Sequence, residues 1–194
     1  MRRKTFDALA TAVGLALAVV LLIAGGLLLW GHNFVNTQVH NQLVAQKIFF
    51  PANNSPAIKA PEFAAMHQYA GQQMTTGAQA EVYADHFIAN HLKEIGGGLT
   101  CSQLSGKALA QPGNVALANQ VDLMFRGTTL RGLLLSSYAF WKMGQIALWA
   151  AIAALIGAAF LLILSILGFA HLRRVPPETE MLGKLGTASK ATVA

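Results

Sequence analysis

The sequence predicts an all-α membrane protein in which two transmembrane helices flank an extracytoplasmic helical bundle, and three observations predict it. Hydrophobic residues make up 54% of the 194 and charged residues only 11%, well below the roughly 25% of charged residues in a soluble domain. Two long stretches, between Asp7 and Lys47 and between Lys142 and Arg173, contain no Asp, Glu, Lys or Arg. The segment between them repeats its apolar residues at helical rather than alternating spacing. A disordered chain is excluded, because disorder requires low hydrophobicity and high charge. The net charge of +6 would suggest nucleic acid in a soluble protein. Here the cations cluster at the ends of the apolar runs, so membrane lipids are the expected partner and nucleic acid is not.

Residues 1–7 form a short tail carrying Arg2, Arg3 and Lys4. The run at 8–30 follows, nearly all Ala, Val, Leu, Ile and Gly, with Trp30 at its far end. A bilayer core of about 30 Å needs roughly 20 helical residues, and indole favours the interface. The basic MRRK start is similar to the n-region of a secretory signal. Its apolar run is longer than the usual h-region of about 7 to 15 residues, however, and GLLLWGHN offers no A-x-A-like cleavage site. An uncleaved signal anchor is expected. The second span is placed at 143–172, with Arg173 and Arg174 behind it. Basic residues flanking a span are retained in the cytoplasm, so the expected topology is a two-pass protein of the cell membrane with both termini cytoplasmic. The tail at 173–194, rich in Gly, Thr, Ser and Ala, is expected to be disordered.

The extracytoplasmic segment, 31–142, reads as helices. Val35, Val39 and Leu43 continue the first helix to about Gln46. PANNSP is a loop, and Pro61 suits the first turn of a helix through EFAAMHQYAGQQ. Thr76 and Gln79 have capping-box spacing, and the apolar stripe after them runs to a stop at Gly96, Gly97 and Gly98. Thr100 and Gln103 repeat the capping box before Gln111, Pro112 and Gly113 end a short helix. Another helix starts after Asn114, pairs Asp122 with Arg126 one turn on, and continues without a proline into the second span.

Candidate sites are sparse. Cys101, the single cysteine, excludes an intrachain disulfide and reads as a buried thiol, with pairing between chains as the alternative. His32, His40, His67, His86 and His91 invite a metal or pH-sensing reading. His86 and His91 are five apart, about 140° around a helix, and so do not form an i, i+4 ligand pair. Glu81 and Asp85 share a face, and His91 can reach Glu94. No catalytic, cofactor or metal residue is assigned. Within the spans, Ala10, Gly14 and Ala18, and Ala150, Ala154, Gly157 and Ala158, form rows of small residues that let helices approach closely in lipid. Trp30, Tyr138, Trp141, Lys142, Trp149, Arg173 and Arg174 are expected at the membrane interface, with a lipid or quinone headgroup site as the alternative for the aromatic residues.

The runs YAGQQMTTGAQAEVYADHFIANHLKEIGGG and FRGTTLRGLLLSSYAFWKMGQIALWA resemble a family of uncharacterised actinobacterial membrane proteins with two spans. Some of its members carry a name referring to ring-opening dioxygenases, for which this sequence holds no set of iron ligands. The resemblance implies the two-span topology and a bacterial host. The functional expectation is a non-enzymatic structural or accessory subunit of the cell envelope, self-associating or bound to a membrane-protein partner. The alternative is an extracytoplasmic ligand or metal sensor that acts through such a partner.

Overall fold

The computed structural model describes residues 3–174 and is all-helical, with no strand among the described residues. Most of the tail expected at 173–194 lies outside the described residues. Among the described residues there are five α-helices: α1 (Arg3–Gln46), α2 (Gly77–Val82), α3 (Ala89–Ile95), α4 (Cys101–Leu109) and α5 (Val115–Leu172). Two 3-10 segments, Pro56–Ile58 and Pro61–Tyr69, and a π-helical segment, Tyr83–Ile88, complete the order. Both α1 and α5 are long and apolar enough to cross a membrane. The helix α1 begins at Arg3, so much of the expected N-terminal tail is its first turn.

The chain divides into two compact units. One holds, among the described residues, 3–30 of α1 and 147–172 of α5, an apolar helix pair. Its buried residues recur every seventh position: Thr11, Ala18 and Gly25 on α1, and Ala151, Ala158 and Ser165 on α5. A seven-residue repeat keeps one seam facing the partner helix. Close approach follows from the small side chains: a Cβ on Gly25 would sit 2.9 Å from Leu155, and one on Gly14 would sit 3.1 Å from the Ser165 hydroxyl. Thr11 donates its hydroxyl proton to the Asp7 carbonyl at 2.8 Å, so no polar group on that side of the seam is left without a bond. The remaining faces of both helices carry exposed Leu, Val, Ile and Phe.

The other unit, 31–146, is built around Leu43, Phe50, Ile58, Met66, Met74 and Leu134, all essentially inaccessible. The last turn of α1 closes at Lys47, whose left-handed backbone (φ 52°) turns the chain out of the helix. The chain then pairs briefly with itself: Met74 donates its backbone N–H to Ile48 at 2.8 Å, and Phe50 donates to Gln72 at 2.9 Å. Gly71 (φ 72°) makes the bend that this pairing needs. Phe50 is thereby held 5.3 Å from both Tyr69 and Tyr83, edge-on to the latter. Such aromatic pairs add roughly 0.5–1.5 kcal/mol beyond area burial.

The expected helix after Pro61 is a 3-10 segment that ends at Tyr69. Both capping boxes form: the Thr76 hydroxyl accepts from Gln79 N–H and the Thr100 hydroxyl from Gln103 N–H, while each glutamine side chain accepts from its cap's backbone. The helix opened by Thr76 runs to Ile95 through the π-helical turn. Gly97 (φ 57°) and Gly98 (φ 81°) then take left-handed conformations, and Gly98 N–H returns to the Lys93 carbonyl. Asn114 caps α5 by accepting from Leu117 N–H at 3.0 Å.

Candidate functional site

Within the 31–146 unit, α1 and α5 leave a groove of about 450 Å³ between them. One wall is a ridge on α1, Phe34, Gln38, Gln42 and Gln46. These residues are each four apart and so share a face. The opposite wall is Leu133, Ser136, Ser137 and Phe140 on α5, and Val35 and Val39 are the other lining residues. The two helices are fixed at one level by His32, whose Nδ1–H donates to the Gly144 carbonyl at 2.9 Å, and by Val35, which lies against the Gly144 backbone. Because the helices run in opposite directions from that level, Phe34 and Phe140 share one end of the groove. The amides and hydroxyls lie further along it. Ser136 donates to the Gly132 carbonyl and Ser137 to the Leu133 carbonyl. Their oxygens therefore face the groove as acceptors, whereas the exposed glutamine amides both donate and accept. No charged residue lines it.

A polar cluster lies between the π-helical turn and α5. Arg131 pairs with Asp85 at 2.7 Å, and Tyr138 donates its hydroxyl to Glu81. Burial pushes the Tyr138 hydroxyl above the ordinary tyrosine value, and the Glu81 charge, the hydrogen bond to it and the Asp85 charge act in the same direction. Burial alone raises Tyr83. The Asp85–Arg131 pair ties α5 to the capped helix by a charge-assisted bond.

The histidines are spread among separate partners. Nδ1 of His40 donates to the Thr75 carbonyl, of His67 to the Asn53 side chain, of His86 to the Glu62 carbonyl, and of His91 to the Phe87 carbonyl. His91 also lies with its ring centroid 4.3 Å from that of Phe87, so its ring and its hydrogen bond are both directed to Phe87. No group of three or more His, Cys, Asp or Glu comes together among the described residues. Cys101 is half-buried at the start of α4.

Among the residues expected in helix packing, Ala18 and Ala158 are buried, Gly14, Ala154 and Gly157 are half-buried, and Ala10 and Ala150 are exposed. The seam runs on the seven-residue repeat, which adds Thr11, Gly25, Ala151 and Ser165. Among the residues expected at an interface, Trp30, Lys142, Trp149, Arg173 and Arg174 are exposed. Tyr138 and Trp141 stack on each other at 6.2 Å, and Trp141 packs on the core of the helical unit beside Gly77. No protein-family model, curated protein or solved structure matches the chain.

Proposed function

We propose that this chain is a non-enzymatic structural or accessory subunit of the bacterial cell envelope. Its two apolar helices cross the membrane, residues 31–142 lie outside the cytoplasm, and the chain self-associates or joins a membrane-protein complex. The observation that carries this reading is the apolar helix pair. Its small residues close a tight seam, while the opposite faces expose Leu17, Val20, Ile23 and Leu27 on α1 and Ile152, Ile156, Phe160 and Ile163 on α5. Such faces require lipid or further apolar helices around them. The resemblance to actinobacterial two-span proteins supports the same reading. Crosslinking in intact membranes, followed by purification in mild detergent and mass spectrometry, tests it. A reproducible oligomer or copurifying membrane protein is expected, and a strict monomer without a partner would overturn it.

The groove supports a second reading, an extracytoplasmic sensor acting through a partner. It has the volume and the mixed apolar and polar lining of a small-molecule site. A thermal-shift screen of metals and small molecules separates the two, since a purely structural subunit gains no stability from any of them.

A further inference from the structure

We infer that the groove between α1 and α5 binds a membrane lipid whose headgroup is uncharged and bears hydroxyl groups, with the apolar part of the lipid between Phe34 and Phe140. Three observations carry this inference, which rests on the membrane reading of α1 and α5. The first is polarity along the groove: its two aromatic residues share one end, and its amides and serine oxygens lie beyond them. An amphiphile matches that order and a wholly polar or wholly apolar molecule does not. The second is continuity in the chain: the apolar run at 8–30 ends four residues before Phe34, so the aromatic end of the groove is the end nearest that run in the sequence. The third is chemistry. The serine oxygens accept, and Gln38, Gln42 and Gln46 donate as well as accept, which suits hydroxyl groups that do both. A lining without Lys, Arg or His offers nothing to neutralise a phosphate, so an anionic headgroup would lose its water there without a counter-charge.

The test uses the full chain, reconstituted into phosphatidylcholine vesicles that contain equal amounts of monoglucosyl diacylglycerol and phosphatidylglycerol with the same acyl chains. The protein is re-extracted in mild detergent, and the retained lipid is identified by native mass spectrometry. The glucosyl lipid is expected to be retained roughly tenfold over phosphatidylglycerol, the ratio that one or two net hydrogen bonds provide. The Gln38→Leu/Gln42→Leu double variant is expected to lose that preference at an unchanged unfolding midpoint, since both positions are exposed and helical. Phe34→Ala/Phe140→Ala is expected to lower retention of both lipids. Equal retention of the two lipids by the parent protein, or an unchanged preference in the glutamine variant, overturns the inference. So does protection of Gln42→Cys, in a Cys101→Ser background, from a thiol reagent by a second copy in lipid-free detergent. Alkaline extraction of the vesicles is run in parallel: release of the protein overturns the membrane reading itself, whereas firm insertion with equal lipid retention overturns only the lipid site.

Discussion

Gly77, in the first turn of α2, lies directly under the Trp141 side chain of α5: a Cβ on this glycine would overlap the Trp141 Cβ and come within 2.6 Å of its Cγ. The overlap falls on the stem of the indole, so rotation of the ring does not relieve it. Gly77→Ala is therefore expected to destabilise the helical unit by about 1–3 kcal/mol, the usual cost of overpacking. Gly106, inside α4 with open space around it, is the control. Gly106→Ala is expected to be neutral or to stabilise by up to about 1 kcal/mol through helix propensity. Thermal unfolding of the two variants in the same detergent checks both signs.

The Asp85–Arg131 pair has side chains 40% and 39% exposed, against 56% and 74% for Asp122–Arg126. Solvent screening scales down both, and the second more strongly. A double-mutant cycle on Asp85 and Arg131 is expected to return a coupling of about 0.5–1 kcal/mol, and one on Asp122 and Arg126 about 0.3 kcal/mol. Molar salt should reduce both. Equal couplings would mean that the tertiary placement of Asp85 adds nothing to a surface pair.

Alkaline pH tests the tyrosines. Tyr138 and Tyr83 are both raised above the ordinary value of 10.0, so between the unfolded and folded values the native state holds more protons than the unfolded chain. Stability then falls as pH rises through that window and is unaffected below it. The parent protein is expected to lose stability above about pH 10. The Tyr83→Phe/Tyr138→Phe double variant should flatten that limb of the curve. Denaturant midpoints measured from neutral to alkaline pH give the comparison.

Ala18 and Ala158 are completely inaccessible, whereas Ala16 and Ala159 on the same helices are exposed. Ala18→Leu or Ala158→Leu is expected to wedge the apolar pair apart at a cost of about 1–3 kcal/mol. Ala16→Leu and Ala159→Leu should be tolerated. The order of unfolding midpoints in mild detergent decides it, and a wedge that costs nothing would show that the seam is not a packed contact.

How much of this was readable from residue order depends on the range of each interaction. Helix ends were legible because their determinants are local. Thr76 with Gln79, Thr100 with Gln103, and Asn114 each bond a backbone group within three residues, and the end of α1 at Gln46 follows from a periodic stripe that stops. That two helices are long and apolar enough to cross a membrane was legible from the two uncharged runs. Which small residues meet at the seam is not legible in the sequence, because small residues four apart and small residues seven apart coexist in the same runs, and only a partner helix selects between them. Tyr138 and Trp141 stand three residues apart beside an apolar run, whereas the neighbours the fold gives them, Gly77 and Glu81, are more than fifty residues away in the chain and are not legible from local order. The same holds for Asp85: its spacing from Glu81 reveals a shared face but not that Arg131 stands opposite. The groove was invisible for that reason, since its ridge on α1 can be read from four-residue spacing while its second wall is a long-range match.

The π-helical turn at Tyr83–Ile88 has a consequence for how this chain tolerates changes in length. A π turn accommodates one residue more than the α-helix around it, and Ala89 N–H accordingly reaches back to the Ala84 carbonyl. Deleting a single residue inside 83–88 would let the turn relax to α-helix while both flanks keep their orientation. Deleting one elsewhere between Gly77 and Ile95 would rotate everything after it by about 100°. Leu92, which now fills the space above Gly127, would stay in place after the first deletion and swing away after the second.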